Sequence, residues 1–179
     1  MAFNARTLKE IKAGYESKDF EFFQDDKGAY GETGACYLRF KIGGGIYKDE
    51  VHILQVKFVY GNGTYVYPKN PPNVLFMTPL FHTNIAEGGS ICLDVIKSDK
   101  WSPFYGIGAI FNSIIALLDD PNTSSPFNGT ASRSYDEHKS AGTLDQYSKI
   151  CHDYYETQLV SGKFDNTKNL LNAKEFTNS

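Results

Sequence analysis

Phe81-His-Thr-Asn-Ile85, then Gly89-Ser-Ile-Cys-Leu-Asp94, Trp101-Ser-Pro103, a helical stretch and Asp120-Pro-Asn122 form the part of the chain whose reading decides the fold. Taken singly these residues say little, because a cysteine is commonly a small buried hydrophobe, an asparagine a turn former and a histidine a satisfied structural group. Order and spacing say more. His82 lies ten residues before Cys92 and Asn84 eight before it, with Trp101 nine after it and Asp120 twenty-eight after it. From Phe81 to Lys100 there is no sustained period, and Gly, Asn, Ser and Asp are dense. A long ordered loop of this kind usually carries function.

Working outward, the period changes on either side. Ala35 to Ile42 and Val51 to Tyr60 are rich in β-branched and aromatic residues and are separated by Gly43, Gly44 and Gly45, which predicts two strands joined by a connection. A Pro-rich run, Tyr67 to Pro72, reads as extended, and Val74 to Met77 as a third strand. Leu8, Ile11 and Tyr15 recur at helical spacing within Ala5 to Tyr15, with Gly14 clouding the end. Downstream, Ile107 to Leu118 is the best-defined helix, stopping at Asp119, Asp120 and Pro121. Ala131 to Ser140 and Leu144 to Leu159 also read as helices, with Thr143 as a cap. Ser161 to Ser179 is polar and Asn-rich, a frayed tail of weak helical tendency.

Composition bounds the function. A chain of 179 residues, 41% hydrophobic and 22% charged, fits one globular domain, and 15% aromatic residues rule out disorder along its whole length. The net charge of -3 argues against a partner recognised through phosphates, so no nucleic acid is expected. No segment reaches the roughly 18 to 20 apolar residues that span a bilayer, and Met1 to Glu10 lacks a secretory apolar run. No membrane partner and a cytoplasmic or nuclear location are the expectations. Cys36, Cys92 and Cys151 are an odd set without a CxxC pair, which suggests free thiols rather than disulfides or a zinc site.

The PPxV of Pro71 to Val74, the FHxNI of Phe81 to Ile85, the GSICLD of Gly89 to Asp94, the WSP of Trp101 to Pro103 and the LLxDPN of Leu117 to Asn122 stand in one order. Over roughly Ala5 to Tyr155 the chain thereby resembles the ubiquitin-conjugating enzymes. The resemblance implies an α+β fold, one antiparallel sheet of about four strands flanked by helices. It implies a catalytic domain over 1–160, followed by a polar C-terminal extension over 161–179, and a monomer. It further implies that Cys92 takes ubiquitin from an activating enzyme as a thioester and passes it to a substrate lysine or a ligase cysteine, with no metal or organic cofactor. Cysteine suits this work because a thiolate is a strong nucleophile near neutral pH and a thioester remains open to amine attack. Gly88, Gly89, Ser90 and Asp94 argue for a surface loop around Cys92, whereas Cys36 and Cys151 sit in apolar periodic segments and read as core thiols.

For the other positions the resemblance implies supporting roles. Asn84 either donates to the oxyanion formed when an amine attacks the thioester, worth about 3 kcal/mol for a well-placed donor, or holds the loop in shape. His82 is expected to fix loop backbone rather than act as a base, and Trp101 to support the site. Asp94 and Ser125 border the entrance for the incoming lysine. Many relatives carry an acidic residue where Ser125 stands, so phosphorylation there, adding roughly -1.5 to -2 charges, is expected to favour lysine discharge. Arg6, Lys9 and Lys12 fall where the family binds its activating enzyme, while Lys69, Pro103 and Phe104 fall in its ligase-docking loops; Phe104 is either an exposed anchor or packed on Trp101. Lys69 leaves the ligase class open. Three departures stand out: Thr83 replaces the usual proline, the loop from Gly61 to Tyr67 reads as longer than in compact relatives, and the tail runs past Leu159. Two competing readings are a noncatalytic ubiquitin-binding scaffold of the same fold, which Cys92 argues against, and a carrier of another ubiquitin-like modifier.

Overall fold

A computed structural model describes residues 3–25, 34–61, 64–162 and 171 of the chain. Four antiparallel strands form the main sheet in the order β1 (Glu21–Gln24), β2 (Cys36–Lys41), β3 (Val51–Lys57) and β6 (Asn73–Phe76). A small hairpin of β4 (Tyr60–Gly61) and β5 (Thr64–Tyr65) stands apart. The helices are α1 (Ala5–Tyr15), α2 (Ile107–Asp119), α3 (Gly129–Ala141) and α4 (Leu144–Val160). The expected α+β arrangement is the observed one.

Several details differ from the sequence reading. Glu21-Phe-Phe-Gln24 lacks the alternation that announces a strand, yet it pairs with β2 because Phe22 turns into the core while the buried Arg39 binds Glu21 at 2.5 Å. Residues 67–69 form a turn rather than an extended run, with Tyr67–Pro68 cis and Tyr67 buried. Thr143 takes the cap position of α4 but makes no side-chain cap bond; its Oγ1 is 2.8 Å from His138 Nδ1 instead. The tail beyond 162, apart from residue 171, and residues 62–63 of the long loop lie outside the described residues.

Helix α2 is the centre of the core. Its buried stripe of Ile107, Ile110, Phe111, Ile114 and Leu118 faces the sheet, where the Phe111 ring stands edge-on to Phe40 with centroids 5.0 Å apart. Burying such side chains contributes ~2 kcal/mol each. The N-cap of α2 is Gly106, which has no side chain to offer, so the first turn is satisfied from outside: Ile107 N–H donates to Glu10 Oε2 of α1 at 2.9 Å. Arg6 holds the other oxygen, Nε to Oε1 at 2.8 Å. A side chain at Gly106 would meet that carboxylate at 2.7 Å, so the glycine and the borrowed cap belong together. Gly14 has a similar reason to be small, since a Cβ there would strike the Phe22 ring at 2.5 Å.

The segment 81–84 is fixed from behind. Tyr47 donates its hydroxyl to the Phe81 carbonyl at 2.9 Å, and from α4 the Tyr147 hydroxyl at 3.4 Å and Cys151 Sγ at 3.5 Å approach the same oxygen. His82 is fully buried and spends both ring nitrogens on backbone. Asn84 N–H donates to Nδ1 at 2.9 Å, and Nε2 lies 3.0 Å from Leu117 O. Because an N–H donor faces Nδ1, the proton must sit on Nε2, where it donates to the carbonyl. Burial disfavours the cation and pushes the ring's pKa down from 6.5 to about 4.

The neutral ring is therefore a stability element with a pH window. The unfolded chain binds a proton near pH 6.5 that the folded chain refuses until about pH 4, so stability falls as pH drops through that interval. The loss is on the order of 3 kcal/mol across the window. Urea midpoints measured from pH 7 to pH 4 should fall more steeply in the parent chain than in His82→Gln; parallel curves would contradict the buried neutral ring.

Candidate active site

Cys92 sits where two loop strands meet. Its N–H donates to the Asn84 carbonyl at 2.8 Å, and the neighbouring pair Ile85 and Ile91 forms a single antiparallel bridge. A tight turn closes this ribbon: Gly89 N–H donates to Ala86 O at 2.8 Å and Ala86 N–H to Ser90 O at 2.9 Å. Gly89 has φ +81°, and a Cβ there would stand 2.0 Å from the Phe76 carbonyl, so no other residue fits. On the far side Phe76 N–H donates to Gly89 O at 2.9 Å, which hangs the ribbon on β6. Ile91 and Leu93, flanking the cysteine, are buried and anchor the ribbon from both sides. Cys92 between them is part-exposed, whereas Cys36 and Cys151 are buried. Burial pushes the Cys151 thiol up to about 12, which leaves it inert at neutral pH.

Asn84 is buried, and its amide grips the loop after α2 with two bonds. Nδ2 donates to Asn122 O at 2.7 Å, and Oδ1 accepts from Asn122 N at 2.8 Å. A second Nδ2 hydrogen is left over from this pair. The same loop is tied again at Thr83, whose carbonyl accepts from Phe127 N and Asn128 N, both at 2.9 Å. These bonds take the place of the rigid φ that a proline would supply. Thr83 itself is fully buried, and its hydroxyl finds no partner.

The expected entrance residues lie on the surface in separate loops. Asp94 opens a short 3-10 turn, Asp94–Ile96, and accepts from Lys97 Nζ at 2.6 Å. That bond holds the Asp94 carboxyl below its usual range. Lys97 is raised in turn, first by its bond to Asp94 and then by the proximity of Cys92. Nothing in the spacing of the sequence marked Lys97 as a neighbour of the cysteine; the turn brings it there. Ser125 is exposed in the loop that Asn84 and Thr83 fasten.

Trp101 joins the two proposed docking loops. Its Nε1 donates to Pro68 O at 2.8 Å, which brings the exposed Lys69 close to the loop of Pro103 and Phe104. Phe104 is 92% exposed, and Tyr67 and Tyr105 pack on the tryptophan instead. Arg6 differs from Lys9 and Lys12. Those two are exposed, whereas Arg6 spends its guanidinium inside the chain on Glu10 and, at 3.1 Å, on Tyr105 O.

Among the described residues no group of histidine, cysteine and carboxylate side chains is arranged to hold a metal ion. No described helix is long and apolar enough to cross a membrane. What the arrangement offers is a part-exposed thiol on a ribbon bonded to the backbone of Asn84, whose buried amide holds the Asn122 loop.

Comparison with known proteins places this architecture. Residues 7–151 match the family model described as ubiquitin-conjugating enzyme. Ubiquitin-conjugating enzyme E2 2 of Yarrowia lipolytica is 43% identical over 90 residues, a match covering 50% of this chain and 56% of that one. Ubiquitin-conjugating enzyme E2 1 of Caenorhabditis elegans is 47% identical over 73 residues, covering 41% of this chain and 38% of that relative. The similarity thus spans about half or less of these relatives' own length. With the family model running from the first helix to the last and embracing the ribbon that carries Cys92, the chain belongs to the ubiquitin-conjugating enzyme family.

Proposed function

We propose that this protein is a ubiquitin carrier, with residues 1–160 as its catalytic domain, 161–179 as an extension, and a monomeric working state. The observation that carries the reading is the contrast among three thiols: one part-exposed on a ribbon fixed to the motif asparagine, and two sealed in the core. In the loading step Cys92 thiolate attacks the carbonyl at the modifier's carboxyl end and displaces the activating enzyme's thiolate. In the discharge step a neutral lysine amine attacks the new thioester, the carbonyl oxygen becomes an oxyanion, and collapse forms an amide and releases Cys92 thiolate while the proton lost by the amine passes to water. Partners are the activating enzyme, reached through Lys9 and Lys12; a ligase, reached through Lys69, Pro103 and Phe104; and a protein substrate approaching past Asp94 and Ser125. Ubiquitin is the favoured modifier because the matched relatives bear its name.

His82 takes no part as a base in this scheme, since one ring nitrogen is occupied by the Asn84 N–H and the other carries a proton bound to Leu117 O. Asn84 has two duties. Two of its amide bonds hold the Asn122 loop, and its spare hydrogen serves the oxyanion in a partly desolvated site, where a fixed donor is worth more than in water.

Mixing the protein with activating enzyme, ATP and ubiquitin should yield a band shifted by one modifier that disappears with thiol reductant. Cys92→Ser should give a reductant-resistant adduct, and Cys36→Ala and Cys151→Ala should still load; loss of the labile band in Cys151→Ala with its retention in Cys92→Ala would overturn the assignment. In single-turnover discharge to free lysine, Asn84→Ala should slow release roughly hundredfold while loading stays within a few fold. Equal losses in both steps, with a lowered melting temperature, would leave Asn84 only its loop-holding role.

A further inference from the structure

The turn entering β3, helix α4 and Leu171 enclose a cavity of about 440 Å³. Three carboxyl side chains line it, Asp49, Glu50 and Glu156, together with His152, Tyr155 and Leu159. Asp49 and Glu156 are on the rim, exposed. Glu50 is different, because its side chain is only 1% exposed. A carboxyl group is rarely buried so fully without a matching cation or a full set of donors.

Glu50 has only part of such a set. Its Oε2 lies 3.0 Å from His52 Nε2, while Oε1 is buried with no hydrogen-bond partner. Thr78 Oγ1 accepts from Ile53 N at 3.3 Å and lies 2.9 Å from His52 Nδ1, which fixes the ring between the two. His52 thus serves one carboxylate oxygen and leaves the other unmet. His152 Nδ1 stands 3.7 Å from Oε1, beyond hydrogen-bond reach, on a side chain that is 56% exposed and free to swing. Asp49 is committed to Lys41 Nζ at 2.9 Å, whereas Glu156 adds a further negative charge to the rim.

We propose that this cavity is a docking site for one basic side chain, lysine or arginine, of a partner protein. The cationic head would take Glu50 Oε1 and Glu156, with His152 displaced as it enters, and the alkyl stem would lie along Tyr155 and Leu159. Both features of such a side chain, a charged tip and an apolar stem, find their counterpart here. The partner would rest on α4, the helix whose inner face meets the Phe81 carbonyl through Tyr147 and Cys151.

The test uses the full ¹⁵N-labelled chain titrated with butylammonium and, separately, butylguanidinium chloride, against sodium chloride of equal strength. Saturable shifts are expected at the amides of Val51, His152, Tyr155 and Leu159, with the ammonium and guanidinium arms distinguishing which head fits better. Glu50→Gln should weaken binding about tenfold, as expected for loss of a charge-assisted bond, and His152→Ala should not weaken it. If Glu50→Gln melts early, the exposed Glu156→Gln carries the test and should weaken binding while leaving the melting temperature unchanged. No saturable shift with either cation, or equal affinity in the parent and both carboxamide variants, would overturn the proposal.

Discussion

Everything about this site rests on one backbone bond, Cys92 N–H to Asn84 O at 2.8 Å, and on what holds Asn84 still. A thiol proposed to exchange acyl groups with large partners has to be accessible, and a segment without regular secondary structure has few bonds of its own to define it. The chain resolves that conflict by anchoring the loop through polar groups rather than through a helix or long strand. Phe81 is held by its carbonyl, His82 by both ring nitrogens, Thr83 by two donors to its carbonyl and Asn84 by its amide and its own backbone. Each partner comes from a different element: the β2–β3 connection, α2, the loop after α2, and the thiol ribbon itself.

This division has an energetic logic. An exposed loop contributes little apolar burial, so its rigidity must come from hydrogen bonds that are themselves removed from water, where leaving one unmade costs about 1–3 kcal/mol. His82, Thr83 and Asn84, behind the site, are all buried, whereas the cysteine is part-exposed. The same economy appears at α2, whose N-terminus is capped by Glu10 of α1, so that a polar bond sets the packing of two helices. Thr83 is a loose end in the frame, a buried hydroxyl without a hydrogen-bond partner.

Much of this was legible in the residues. The spacing of Ile110, Ile114, Leu117 and Leu118 located α2, and the β-branched runs located β2 and β3, because both patterns report burial on one face. The FHTN, GSICLD and DPN motifs come together in the fold, with Asn84 bonding both Cys92 and Asn122. What stayed hidden depended on tertiary neighbours. Strand β1 is defined by its pairing with β2 and not by its own alternation, and the turn at 67–69 sits where Trp101 binds Pro68 O. Arg6 looked like a free surface cation beside Lys9 and Lys12, but folding brings Glu10 and Tyr105 to it. The Glu50–His52 pair gave no sign at all, as alternate residues on a strand are expected to share a face without touching another polar group.

The proposed chemistry depends on one thiol being open while two are shut. Brief exposure of the folded chain to iodoacetamide, followed by mass mapping, measures this directly. Cys92 should be modified, with Cys36 and Cys151 protected until denaturant is added. Modification of Cys36 or Cys151 as fast as Cys92, or protection of Cys92 in the folded chain, would contradict it.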